Sequence, residues 1–167
     1  GWNDYSVEAD ITIGESGDTV TTPVYACVTG RHTDAEADDG YEIQFYDTAK
    51  GIQRLRIYRR EDLKELAKVD FPIEYGKEYN LKAVFQGNKI YAYIDDVLYL
   101  DVTDEENKCP VGFAGIRKNG TEGEACGVDV KFDNFVVYDY DEKMNKFVED
   151  FEQYVPRLED VNGTMEY

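Results

Sequence analysis

Residues 79–101 read YNLKAVFQGNKIYAYIDDVLYLD. Two period-two runs, Tyr79–Phe85 and Lys89–Ile94, flank Gln86-Gly87-Asn88, and a second tight turn follows at Asp95-Asp96. The alternation puts Leu81, Ala83 and Phe85 on one face of the first run, and Ile90, Ala92 and Ile94 on one face of the second. Asn80, Lys82, Tyr91 and Tyr93 fall on the opposite face, which is polar and aromatic. The pattern predicts an antiparallel meander with one face in a core and the other toward water or a ligand.

Outward from this stretch, similar runs recur at Tyr5–Ile13, Val24–Arg31, Tyr41–Tyr46, Arg54–Arg59, Val97–Val102, Val111–Arg117 and Val128–Tyr138. Gly, Asp and Asn turns such as Asp38-Asp39-Gly40 and Asn119-Gly120 separate them. Many short alternating strands with turn signals between them predict a β-sandwich. The first run is the cleanest, with Tyr5, Val7, Ala9, Ile11 and Ile13 assigned inward. Segment 59–69, RREDLKELAKV, carries Leu63, Leu66 and Ala67 at helical spacing and good helix formers throughout. Its shortness and its place between strands favour a hairpin turning at Glu61-Asp62 over a helical turn.

The chain has 167 residues, which suits one two-layer core. That core is expected over residues 1–138. Residues 139–167 read as a polar linker and a strand-like tail. The 36 acidic residues against 18 basic ones give a formal charge of −18. Such a field repels nucleic acid and anionic membrane surfaces, so neither is an expected partner. No apolar run approaches the ~18 residues that a membrane-spanning helix needs. The abrupt start at Gly1-Trp2 reads as a piece excised from a larger protein. Cys27 sits among Val24, Ala26 and Val28 as a small buried hydrophobe. Cys109 and Cys126 lie in late loops, where a bridge between them stays open. The two Asn-Gly-Thr sequences, at Asn119 and Asn162, are turn chemistry, and glycosylation acceptors only in a eukaryotic secretory protein.

The segments WNDYSVEADITI, VTGR, GYEIQFYD, RLRIYRR, GKEYNLKAVFQGNKIYAYIDDVLYLD, GFAGIR and VKFDNFVVYD follow one another in this order. In that order the chain resembles concanavalin A-like jelly rolls over about residues 2–138. More narrowly it is similar to the laminin-G-like, carbohydrate-associated branch, which includes the lectin-like domain of galactocerebrosidase-type enzymes and modules of bacterial glycoside hydrolases. The resemblance implies an all-β, two-sheet antiparallel jelly-roll sandwich with one concave sheet. It also implies a structural calcium ion tying the terminal strands, with Asp133 of the FDN motif as first ligand. Relatives begin with a DDFE-like strand that this chain lacks at its start. Glu149-Asp150-Phe151-Glu152 supplies a similar element near the other end. The tail then either begins a following repeat or folds back on the vacant edge, which would bring Asp150 toward Asp133.

The acidic loop TDAEADDG (Asp34, Glu36, Asp38, Asp39) reads as solvated, because its glycine falls late for a calcium loop and Phe45 stands where the closing Glu belongs. Catalysis is not expected. His32 is the single histidine, and neither Glu8-Ala9-Asp10 nor Tyr41-Glu42-Ile43 has the third carboxylate of the Glu-x-Asp-x-(x)-Glu strand used by glucanase relatives. The stronger signal is a set of outward residues: Arg54, Arg56 and Tyr58 on one strand, Glu42, Gln44 and Tyr46 on another, and Tyr91 and Tyr93 on a third. Aromatic rings stack on sugar faces, while Arg, Gln and Glu bond hydroxyls in fixed directions. The expected ligand-binding residues are Arg31, Glu42, Gln44, Arg56, Tyr58, Tyr91, Tyr93 and Arg117, with Asp133 and Asp150 as metal candidates. The expected function is a non-catalytic, lectin-like carbohydrate-binding module of an extracellular multimodular protein, partnered by a polysaccharide or glycan and by adjacent domains. A protein-binding adhesion or structural laminin-G-like module is the alternative.

Overall fold

A computed structural model describes residues 2–15, 23–48, 51–119 and 128–139. Ten strands fill most of these: β1 (Tyr5–Ile13), β2 (Val24–His32), β3 (Tyr41–Asp47), β4 (Gln53–Arg59), β5 (Lys64–Asp70), β6 (Glu78–Gln86), β7 (Lys89–Ile94), β8 (Val97–Thr103), β9 (Phe113–Lys118) and β10 (Val130–Asp139). They form two five-stranded sheets, a first in the order β10-β1-β6-β7-β8 and a second in the order β5-β4-β3-β2-β9. Every pairing is antiparallel.

The alternation read from the sequence is the alternation of burial. Tyr5, Val7, Ala9, Ile11 and Ile13 are all buried, as are Leu81, Ala83 and Phe85 on β6 and Ile90, Ala92 and Ile94 on β7. Val28, Ile43, Leu55 and Ile57 meet them from the second sheet in one core. Phe85 stands near its centre, 5.2 Å from the ring of Tyr5 and 5.9 Å from that of Tyr41. The backbone of β2 approaches it so closely that a Cβ on Gly30 would lie 2.3 Å from the Phe85 ring. Only glycine fits there.

Turn chemistry ties the meander together. Asp95 and Asp96 both adopt positive φ (48° and 64°), as the two-residue turn between β7 and β8 requires. Asp is among the residues that tolerate this conformation. Asp95 Oδ1 accepts the Asn80 N–H at 2.9 Å, and Lys82 Nζ pairs with Asp96 at 2.9 Å.

Segment 59–69 is the expected hairpin, with β4 and β5 joined at Arg60–Leu63. Leu63 sits in the turn at φ 54°, 65% exposed. Its helical spacing to Leu66 and Ala67 therefore has no packing behind it. Cys27 is buried as expected. Cys109 is a buried free thiol whose Sγ donates to Glu61 Oε2 at 3.5 Å. Cys126, Asn162 and the tail 140–167 lie outside the described residues.

Near one end of the sandwich a buried charge cluster closes the structure. Arg59, fully buried, reaches Asp104 (2.5 Å), Asp62 (2.6 Å) and Glu106 (3.1 Å), and the Tyr41 hydroxyl donates to Asp104 at 2.6 Å. Lys108 bonds both Asp62 and Glu106 at 3.0 Å.

Candidate functional site: the outer face of the second sheet

Residues on the core-facing side of β3 are Tyr41, Ile43 and Phe45, so Glu42, Gln44 and Tyr46 point outward. Glu42 and Gln44 are nevertheless fully buried, because neighbouring side chains lie over them. Cross-strand register explains which ones. Gln44 faces Arg56 on β4, Glu42 faces Tyr58, and Tyr46 faces Arg54. On the other side Cys27 of β2 faces both Gln44 and Arg117 of β9. Cys27 is small, so Arg117 can cross above β2 and donate to Glu42 Oε1 at 3.0 Å.

The outcome is one polar stripe of residues from four strands, crossing over β2. Arg117 bonds Glu42, Glu42 Oε2 accepts from Gln44 Nε2 at 2.5 Å, and Gln44 Oε1 accepts from Arg56 Nε at 2.6 Å. Arg56 continues to Glu65 on β5 at 3.4 Å. Its guanidinium also lies between two rings, 4.0 Å from the Tyr46 centroid and 4.6 Å from that of Tyr58. Cation–π contact and hydrogen bonding hold the plane of Arg56 in place.

Loop 33–40 folds over one end of this stripe. Asp38 pairs with Arg60 at 3.0 Å and with Arg117 at 3.8 Å. Asp39 Oδ1 accepts the Thr33 N–H at 3.1 Å and lies 3.7 Å from His32 Nδ1. The acidic loop is thus clasped to the sheet by arginine. Burial pulls the Arg60 pKa down, but the Asp38 hydrogen bond and the Glu42 charge outweigh it and leave that pKa raised. The Asp38 carboxyl is held below its usual range by the hydrogen bond from Arg60. Burial, opposed by Glu42 and Asp39, lowers the His32 pKa, so its ring is uncharged at neutral pH. Burial first, then Glu42, raises the Tyr25 hydroxyl.

The structure brings together Glu42, Gln44, Arg56, Tyr58 and Arg117 from the expected set. It separates the other three. Tyr91 and Tyr93 project from β7 in the first sheet, on the opposite outer face, where Lys82 lies 5.1 Å from the Tyr93 centroid. Alternation assigns a side within one strand but not the sheet to which that strand belongs. Arg31 turns inward. It has φ 57°, is buried, donates to the Asn3 carbonyl through Nε (3.1 Å) and Nη2 (2.7 Å), and lies 5.3 Å from the Phe85 centroid. Its N–H donates to the Tyr5 oxygen at 2.6 Å, and burial pushes the Tyr5 hydroxyl up to about 12. Arg31 anchors the chain start to the core.

Asp133 sits at a β-bulge. Between Glu8 and Asp10 the ladder with β10 gains a residue, and Asn134 there has φ 50°. Asp133 Oδ1 accepts the Asn134 N–H at 2.7 Å, and the Asn134 amide donates to Asp10 at 2.7 Å. Asn80 donates to both Glu8 and Asp10 at 3.0 Å. Side-chain amides thus occupy Glu8 and Asp10, a backbone N–H occupies Asp133, and no group of three His, Cys, Asp or Glu suited to a metal occurs among the described residues. A calcium ion held by Asp133 would compete with the Asn134 N–H for Oδ1. Asp150 lies outside the described residues.

Sequence reading missed Glu65, Arg60 and Asp38 as members of the stripe. Glu65 was hidden in the helix-like segment. Asp38 and Arg60 are twenty-two residues apart and meet only through the fold.

No family model matches the chain, and no curated protein matches its sequence. Solved structures match its fold. One is the carbohydrate binding module CBM66 from Bacillus subtilis, with 22% identity and TM-score 0.58, covering 82% of this chain and 76% of that one. A second is a protein of unknown function with galectin-like fold from Bacillus subtilis, with 12% identity and TM-score 0.59, covering 81% and 71%. A third is chicken galectin 2, with 11% identity and TM-score 0.53, covering 81% and 92%. With its two antiparallel five-stranded sheets, the chain has an all-β concanavalin A-like jelly-roll fold.

Proposed function

We propose that this chain is a non-catalytic carbohydrate-binding module of an extracellular, multimodular protein, and that the outer face of the second sheet is its ligand face. The observation that carries the proposal is the Arg56 guanidinium held between Tyr46 and Tyr58 and continued through Gln44 and Glu42 to Arg117. Aromatic edges beside directional donors and acceptors, fixed before a ligand arrives, suit sugar hydroxyls and reduce the ordering cost of binding. The similar structures whose printed names include a carbohydrate binding module and a galectin support the same reading. Glu42 carries hydrogen bonds from Gln44 and Arg117, which suits a structural carboxylate better than an acid or base that exchanges protons.

Charge narrows the ligand class. The chain carries −18 overall, and Arg56, Arg60 and Arg117 are each paired with carboxylates on this face. Polyuronates and sulfated glycans are repelled by the field and find these cations engaged. The ligand is therefore a neutral glycan.

Affinity electrophoresis in gels containing neutral or anionic polysaccharides tests the proposal. Retardation by at least one neutral polysaccharide, persisting at high salt, is expected. Retardation only by alginate or polygalacturonate, or by none of the panel, would overturn it.

A further inference from the structure

The stripe does not cover the whole face. Toward its loop-capped end lies a hollow of about 310 Å³, bounded by Thr29, His32, Asp34, Phe113, Gly115 and Arg117. Its existence traces to one irregularity in β2. Thr29 pairs with Gly115 and His32 with Phe113, three steps on β2 against two on β9. The extra residue is absorbed at Gly30-Arg31, where Arg31 adopts φ 57° and turns inward. Residues three apart in a regular strand face opposite sides. Here the bulge places Thr29 and His32 together on the outer face.

Three further features suit this hollow to a ligand. Gly115 leaves its floor open: a Cβ there would lie 3.1 Å from Thr29 Oγ1 and begin to fill the space. Phe113 stands at the lip with 53% of its surface exposed, an aromatic ring beside polar groups rather than in the core. His32 is 8% exposed, lines the hollow, and its Nε2 has no hydrogen-bond partner. A buried polar atom of this kind gains from a polar ligand group.

We propose that this hollow is a sugar subsite separate from the Arg56 stripe, taking one neutral ring with its apolar face on Phe113 and its hydroxyls toward Thr29, His32 and Asp34. It rests on the carbohydrate reading above and adds a second point of contact on the same face. The volume lies at the small end of ligand pockets (~300–1,000 Å³), which fits a single ring rather than an oligosaccharide. The Asp34 carboxylate disfavours an anionic sugar. Arg117, at the boundary, is already engaged by Glu42 and Asp38, so it orients a hydroxyl without neutralising an acid.

Amide NMR titration of the whole chain with glucose, galactose, mannose and fructose tests the subsite, with the gels above run in parallel. At least one sugar is expected to shift the amides of Thr29, His32, Asp34 and Gly115. Gly115→Val, which fills the hollow, and Phe113→Ala, at an exposed position, should each weaken that response at least ~10-fold, about 1.4 kcal/mol. Well-dispersed spectra of both variants establish that they fold. If the shifts instead fall on Gln44, Arg56 and Tyr58 and both variants respond like the parent, the subsite is overturned while the carbohydrate reading stands. If no monosaccharide shifts any amide but a neutral polysaccharide retards the chain equally in parent and variants, the subsite is again overturned alone. Absence of response in every assay overturns both.

Discussion

Asp104→Ala is expected to destabilise the fold by about 3 kcal/mol, the lower part of the range for breaking a buried ion pair. Asp104 and Arg59 are both buried, 2.5 Å apart, and the Tyr41 hydroxyl donates to the same carboxylate. Removing it leaves a buried guanidinium short of one partner and a buried hydroxyl with none of its present acceptor. Asp62 and Glu106 still hold Arg59, which keeps the loss from being larger. For a chain of this size, that corresponds to a fall in Tm of roughly 6–12 °C.

The same cluster dictates acid behaviour. Burial raises the Asp104 carboxyl, but hydrogen bonds from Tyr41 and Arg59 outweigh it and leave the group lowered. Asp62 is held low by Arg59 and then Lys108, and Glu106 is drawn down to about 2 by Lys108, Lys64 and Arg59. Carboxylates lowered in the folded state stabilise it fully above their unfolded values near pH 4, and that stabilisation fades as pH falls toward 2. Asp104→Ala should therefore flatten the acid limb of the Tm profile as well as lower its plateau. Chemical denaturation showing an unchanged midpoint would contradict the role given to this cluster.

Glu42→Ala is expected to cost about 2–3 kcal/mol and to abolish glycan binding together with it. Glu42 is fully buried on the outer face and is held by Gln44, by Arg117 and, at 4.0 Å, by Arg60. Its removal leaves Gln44 Nε2 buried without this acceptor and releases Arg117 from the sheet. Glu42→Gln preserves the shape and separates the two effects. It should keep most of the stability but lose the charge that draws Arg117 across β2. Ligand affinity unchanged in Glu42→Gln would argue that Arg117 has no part in the binding face.

Much of the fold was legible because the first and sixth strands alternate without interruption. Each inward residue of YSVEADITI is buried, and β1 begins and ends where the pattern does. Segment 59–69 was ambiguous for a physical reason. Leu63 belongs to a turn and β5 carries a bulge opposite Ile57 and Tyr58, so its apolar residues follow neither strand nor helix periodicity cleanly. Half of the stripe was legible as outward positions on β3 and β4. Its completion was not, since Glu65, Asp38 and Arg60 reach it through pairing and loop closure.

One bulge and one sheet assignment account for where the other three expected residues fall. Arg31 ends a run in the sequence, a place where a groove can open. One left-handed residue turns it into the core and lifts His32 to the outer face instead. Tyr91 and Tyr93 alternate away from the core, as their run predicts, but they stand on the other sheet. Nothing in an alternating run states whether the next meander strand continues one layer or crosses to the other.

Two double variants compared on one neutral-polysaccharide gel test the central claim most directly. Arg56→Ala with Tyr58→Ala alters the outer face of the second sheet, and Tyr91→Ala with Tyr93→Ala alters that of the first. With matched Tm values, the first pair should lose retardation by at least ~30-fold in affinity, about 2 kcal/mol, while the second migrates like the parent. Loss of retardation in the Tyr91/Tyr93 pair, with the Arg56/Tyr58 pair still bound, would place the ligand on the other side of the sandwich and contradict the account.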